Sequence, residues 1–419
     1  MKLLIVVKNY YPSVGGTQIF FQHLAEYCVQ HFGFEVQVYT TDSYFGPEKN
    51  FYKKIKPSEE CINGVLVKRF EYRRWHRKPF QIAQKASIKL FNKSSNYLAI
   101  RRTGPWSASL QKAIENSDAD IIVGATSAYK YMIYPLIRHK LKNPKPFIYQ
   151  GALHFDVNQQ QQYIADYVLN SIKQSEFYLA NSNYEKEVLV DMGIQPEIIE
   201  VLGVAVEHDI SKLKFDAEYR PQLQLSPAQP LIAYIGRITK FKSLDVLIKA
   251  MHFVCKEIPN AHLLIAGYDN NYADELKQLV ASFPNEISNK ILFRLNIDDI
   301  EKNSIYNSID LLVLPSKSES FGMVFLEAWA FKKAVIGAKI SAINSIITDG
   351  VDGLLFIPDN PEHLAACIID ILQDTKMKSQ LGIEGYNKLL HNYSWKTVGE
   401  KFKCICEEAI EKFKTSKSN

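Results

Sequence analysis

Short apolar, β-branched runs recur along the chain at residues 3–7, 36–40, 121–123, 147–149, 177–180, 231–235, 263–266, 291–293, 311–314 and 334–336. Each is followed by a longer stretch whose apolar positions return every three or four residues. Runs without polar alternation mark strands covered on both faces, and strands of that kind alternating with helices predict parallel sheets with helices on either side. The pattern lapses at residues 207–230, a polar stretch holding Pro221, Pro227 and Pro230. A domain junction is expected there, giving an α/β domain over 1–206 and a second over 207–394. In the remaining 395–419, Val398, Phe402, Ile405, Ala409 and Ile410 form a helical stripe that needs a surface, so this helix is expected to cross back to the first domain. In such sheets ligands sit beyond the carboxyl ends of the strands, and two sheets facing each other make a cleft.

Length agrees with this division, since 419 residues exceed what one core usually supports. The opening apolar run is broken by Lys8, Asn9 and Tyr10-Tyr11-Pro12, well short of a signal peptide or a membrane span, so it reads as a buried strand of a cytoplasmic protein. Of six cysteines only Cys404 and Cys406 are close, with no second pair to complete a metal site. Reduced thiols and no metal are expected. The net charge of +5 is unevenly spread: residues 68–102 hold eleven Lys and Arg against one acid, Glu71, interleaved with aromatic and aliphatic residues. A solvated helix face and an anionic membrane surface are the two readings of that stretch. Nucleic acid is not expected, because no recognition motif accompanies it.

Candidate chemistry concentrates in 311–331, LLVLPSKSESFGMVFLEAWAF. Four apolar residues make a strand, Pro315 stops it, and Gly322 opens a helix. The N–H groups of Ser320, Phe321, Gly322, Met323 and Val324 are then placed for phosphate oxygens or sugar hydroxyls. Glu319 stands before those amides and Glu327 two turns inside the helix. Eight residues at helical rise separate the two by roughly 12 Å, more than the ~5 to 9.5 Å of paired glycosidase carboxyls. A division of labour is expected instead, with Glu319 at the transferred sugar and Glu327 at ribose hydroxyls.

A second segment, 231–250, places Gly236 and Arg237 at the end of a strand and Lys242 just before a helix. Two fixed cations there would stabilise a leaving diphosphate. In the first domain, Gly15-Gly16 follows the opening strand and allows close backbone approach to an acceptor or phosphate. His154 and Asp156 follow another strand, and His154 is a candidate for sugar or acceptor contact.

These residues together resemble glycosyltransferase family 4, retaining enzymes of the GT-B fold, in which two Rossmann-like domains face each other across a cleft. The resemblance rests on Gly15-Gly16, Ala180-Asn181-Ser182, Gly236-Arg237 with Lys242, Pro315-Ser316, Glu319 and Glu327 around Ser320-Phe321-Gly322, Asp349-Gly350 with Asp352-Gly353, and Tyr393-Ser394-Trp395. It implies a hexosyl-type transfer from a nucleotide-diphosphate sugar, UDP- or GDP-linked, bound as co-substrate without a further cofactor or a metal. The acceptor would be a glycan or lipid-linked molecule in polysaccharide or glycolipid assembly, approached by a cytoplasmic or peripherally bound enzyme on the inner membrane face. The resemblance puts Glu319 near the donor sugar, Glu327 on ribose, and Arg237 and Lys242 on the diphosphate. This chain departs from the family pattern at Phe331-Lys332-Lys333-Ala334, at Ser341-Ala342-Ile343-Asn344-Ser345, at Ala205, at Ser243 and at Tyr268-Asp269. Rival readings are a non-catalytic nucleotide-sugar-binding subunit that partners another transferase, and a sugar-nucleotide epimerase or phosphorolytic enzyme on the same fold.

Overall fold

A computed structural model describes residues 1–13, 15–44, 54–71, 77–91, 98, 107–125, 130–151, 153 and 166–418. It resolves into two compact units, Met1–Gly203 with Gly399–Asn419, and Val204–Val398.

The first unit is built on an eight-stranded sheet. Its strands are β1 (Lys2–Val7), β2 (Glu35–Thr41), β3 (Glu59–Ile62), β4 (Val65–Phe70), β5 (Ile121–Ala125), β6 (Phe147–Gln150), β7 (Phe177–Ala180) and β8 (Ile199–Val201), in the order β3-β4-β2-β1-β5-β6-β7-β8. All neighbours are parallel except β3 and β4, which pair antiparallel. That hairpin turns at Asn63-Gly64, both with positive φ, the two-residue geometry that Asn-Gly favours. The strand β4 takes up the start of the basic stretch. Arg69 is buried there, its guanidinium bonded to Glu60 and to the carbonyls of Pro57 and Tyr11. It therefore anchors the loop after β1 and does not belong to a solvated face.

The final helix, Trp395–Ser418, contributes Phe402, Ile405, Cys406 and Ala409 to the core of this first unit. Gly399 lets it lie against Tyr27, since an added Cβ would sit 2.5 Å from that ring. Lys401 donates to the carbonyl of Val201, and Lys412 lies 3.8 Å over the Phe177 ring.

The second unit holds six parallel strands: β9 (Leu231–Ile235), β10 (His262–Gly267), β11 (Ile291–Leu295), β12 (Leu311–Leu314), β13 (Ala334–Ala338) and β14 (Leu354–Phe356), in the order β11-β10-β9-β12-β13-β14. The chain runs outward from β9 to β11, then returns to place β12 on the other side of β9. Loops leaving β9 and β12 thus diverge at a topological switch point, where open sheets bind their ligands. The polar stretch 207–230 packs within this unit. Arg220 bonds the carbonyls of Ser308, Ser226 and Gln229 and pairs with Asp310 at 2.7 Å.

Candidate functional site

Both segments singled out above leave the carboxyl edge of the second sheet at its switch point. After β9 the chain passes through Gly236 (φ 154) beside Gly267 (φ 134), the last residue of β10. An added Cβ at Gly267 would stand 2.0 Å from the carbonyl oxygen of Gly236, so the two backbones touch where no side chain has room. Arg237 follows and is exposed. The buried Tyr234 fixes its backbone by donating a hydrogen bond to its carbonyl at 2.7 Å. Burial holds the Tyr234 hydroxyl well above its ordinary pKa, reinforced by the nearby Glu319, so it stays a neutral donor.

A 3-10 turn, Lys240–Lys242, then leads into helix Leu244–Glu257. The carbonyl of Phe241 accepts from the backbone N–H of Lys317, which ties this turn to the loop after β12. Across that contact Lys242 forms an ion pair with Glu319, both side chains largely buried at 14% and 11% exposure. The expected diphosphate cation and the expected sugar carboxylate are therefore partners of each other. An ammonium has three donors, and among the described residues the hydrogen bond of Lys242 is the one to Glu319.

Gly322 (φ 98) opens helix Met323–Ala330, which no side chain caps. Any residue with a Cβ would be strained at that φ. Phe321 is buried edge-on against Tyr393 at 5.6 Å, so it offers the site its backbone alone. Phe325, Leu326, Ala328 and the fully buried Trp329 seat the helix in the core, with the indole N–H bonded to the carbonyl of Asp352 at 3.0 Å. This fixes the direction in which Glu327 leaves the helix. Its carboxylate accepts from Tyr306 at 2.7 Å and lies 3.2 Å from the ammonium of Lys302, both on helix Asp299–Ser308. The two glutamates thus have separate partners.

Sequence reasoning missed Lys302, Tyr306 and Tyr234. The available signal was the i, i+4 spacing of Lys302 and Tyr306 on the helix preceding β12, which puts both on one face. The Asp349 to Gly353 stretch is structural. Asp349 accepts from the backbone N–H of Leu355 at 2.9 Å, and Asp352 accepts from that of Thr348 at 2.8 Å and pairs with Lys388 at 2.7 Å.

In the first unit, Gly15 precedes helix Gly16–Phe32 without a side-chain cap. His154 and Asp156 lie outside the described residues. Leu153, which precedes them in the sequence, is anchored: Glu185, fully buried, accepts from the Tyr178 hydroxyl and from the N–H groups of Asn181 at 2.9 Å and Leu153 at 3.4 Å. Burial pushes its carboxyl up to about 7, against those three bonds, which favour the ionised form.

Residues 215–388 match the family model for glycosyl transferases group 1. The chain is 26% identical over 246 residues to an uncharacterized glycosyltransferase of Methanocaldococcus jannaschii, covering 58% of this chain and 60% of that one. It is also 26% identical over 233 residues to the D-inositol 3-phosphate glycosyltransferase of Segniliparus rotundus, covering 55% and 51%. The matched region thus spans between half and two thirds of the length of these curated relatives. Among solved structures, the Anabaena protein HepE in complex with UDP and glucose superposes with a TM-score of 0.71 at 17% identity, over 96% of this chain and 98% of that one. The fold is GT-B, and the family match within the second unit supports a glycosyltransferase.

Proposed function

We propose that this chain is a retaining glycosyltransferase that moves a hexosyl-type sugar from a nucleotide-diphosphate donor, bound by the second unit, to a glycan or lipid-linked acceptor. The observation that carries the reading is the pairing of Lys242 with Glu319 at the sheet's switch point, beside an uncapped helix whose Glu327 is separately held. In this reading the diphosphate lies against Arg237, the ammonium of Lys242 and the amides of residues 320–324. Those groups stabilise the charge that develops as the sugar leaves, so no metal ion is needed. The leaving phosphate takes the acceptor's proton on the face from which it departs, and the anomeric configuration is kept. Glu319, fixed by Lys242, faces the donor sugar, and Glu327 faces the ribose. Gly15-Gly16 and His154 are assigned to acceptor or phosphate contact. A donor of the UDP class is the first choice, because the similar HepE was solved with UDP.

The acceptor side draws on helix Arg77–Phe91, where Ile82 and Leu90 are 69% and 74% exposed and Lys85 and Lys89 are exposed beside them. An apolar face flanked by cations suits an anionic membrane surface, consistent with a peripheral enzyme working on a membrane-borne acceptor.

The test is a thermal-shift screen against UDP, GDP, ADP, CMP and their sugars, because a ligand bound only by the folded state raises the melting temperature. One nucleotide class should raise it, and Glu327→Ala and Arg237→Ala should each abolish the shift. With an acceptor in hand, NMR of the product should show the donor's anomeric configuration and transfer should survive EDTA. No shift with any nucleotide would overturn the donor assignment.

A further inference from the structure

Glu327 is held from two directions. Its Oε2 accepts from the Tyr306 hydroxyl at 2.7 Å, and its Oε1 lies 3.2 Å from the Lys302 ammonium. Tyr306 is completely buried, its ring stacked on Phe331 at 5.9 Å and 17°. Lys302 is shared with Asp299 at 3.3 Å, so it too is fixed from both sides. Both holders come from one face of helix Asp299–Ser308, an element that leads directly into β12. Yet Glu327 itself remains 23% exposed. A carboxylate has about four acceptor positions. Among the described residues two are occupied, one on each oxygen, which leaves acceptor capacity on both.

That geometry has a defined complement. Two acceptors on the two oxygens of one rigid carboxylate match two donors on adjacent carbons, a vicinal diol. A freely rotating glutamate would have to be ordered by the ligand, at the cost of its side-chain entropy. Here the ordering is done beforehand by Tyr306 and Lys302.

We infer that Tyr306 and Lys302 are positioning residues that set Glu327 to read the ribose 2′,3′-diol, making the second unit selective for ribonucleotides over deoxyribonucleotides. The inference rests on the donor reading above.

The experiment measures affinities by calorimetry for UDP, 2′-deoxy-UDP and 3′-deoxy-UDP on the full chain. Wild type should bind UDP at least tenfold more tightly than either deoxy form. Tyr306→Phe keeps the ring on Phe331 and removes only the hydroxyl. It should weaken UDP about five- to tenfold while leaving both deoxy ligands within about twofold, collapsing the ratio. Lys302→Met should act in the same direction, and Lys302→Arg should restore much of the preference. These substitutions guard against misfolding of any one variant, since the ratio is read within each protein. Equal weakening of all three ligands by Tyr306→Phe would show a packing role and overturn the inference. Equal wild-type affinity for UDP and its deoxy forms would overturn it while leaving the donor reading standing. No binding of UDP, or of GDP and ADP run in the same series, would remove both.

Discussion

Ser243 sits at φ 49 and ψ 40, in the left-handed region, where it opens helix Leu244–Glu257. It stands where the family pattern has glycine, and the backbone has kept the glycine conformation. A side chain there costs roughly 1 kcal/mol, and the buried hydroxyl has no hydrogen-bond partner among the described residues. Glycine loses more chain entropy on folding, which offsets part of the gain. Ser243→Gly should therefore stabilise the chain by about 1 kcal/mol, read as a rise in the urea midpoint. A fall would show that the hydroxyl supports the fold through a contact beyond those described. The departure at 331–334 is likewise accommodated by packing. Lys332 takes φ 54, its ammonium lies 4.9 Å over the Tyr386 ring, and Gly382 leaves room for its carbonyl, which an added Cβ would approach to 2.1 Å.

At the scale of elements, strand β7 and the helix Asn183–Asp191 meet at a single buried carboxyl. Glu185 is raised from 4.5 to about 7, chiefly by burial. The folded state then holds this proton more tightly than the unfolded chain. The associated stability is fully present below the unfolded pKa and is lost as pH rises through about 7, by roughly 3 kcal/mol in all. Glu185→Gln cannot titrate. Between pH 5 and 8 wild type should lose stability relative to this variant, measured by denaturant melts at each pH. Parallel pH curves for the two proteins would place the titration elsewhere.

The same scale shows what the sequence made legible. Strands such as β9 and β12 are covered on both faces, so their apolar runs stand out without tertiary knowledge. The hairpin β3–β4 did not, because β3 lies at an exposed sheet edge and β4 alternates buried with half-buried residues around Lys68 and Arg69. Its one local sign was Asn63-Gly64. Strands β8 and β14 have three residues each, too few for a period to register. At the site, residue types and their place after strands could be read for Arg237, Lys242, Glu319 and Glu327. That Lys242 would pair with Glu319, and that a neighbouring helix would hold Glu327, depends on packing between segments distant in sequence.

For the whole molecule, a net charge of +5 is too small to drive association by itself, so any membrane binding must come from a local face. Helix Arg77–Phe91 contains Arg77, Lys78, Lys85 and Lys89 and no acid, with Ile82 and Leu90 on its open side. No described helix is long and apolar enough to cross a membrane, so this face is the candidate for contact at the surface. Each cation near an anionic bilayer contributes about 1 kcal/mol, so replacing Lys85 and Lys89 with Ser should weaken partition by roughly thirtyfold. Ile82→Ser with Leu90→Ser should weaken it further, by removing the side chains that enter the headgroup region. Flotation with vesicles containing phosphatidylserine should carry the wild-type protein upward, and vesicles of phosphatidylcholine alone should carry much less. Raising salt from 0.1 to 1 M should release it, because screening shortens the reach of the charges from about 10 Å to 3 Å. If wild type stays in the free fraction with both vesicles, the helix is a solvated face and the acceptor must be sought among soluble glycans. If it floats and the four-residue variant does not, the acceptor search narrows to molecules held in an anionic leaflet.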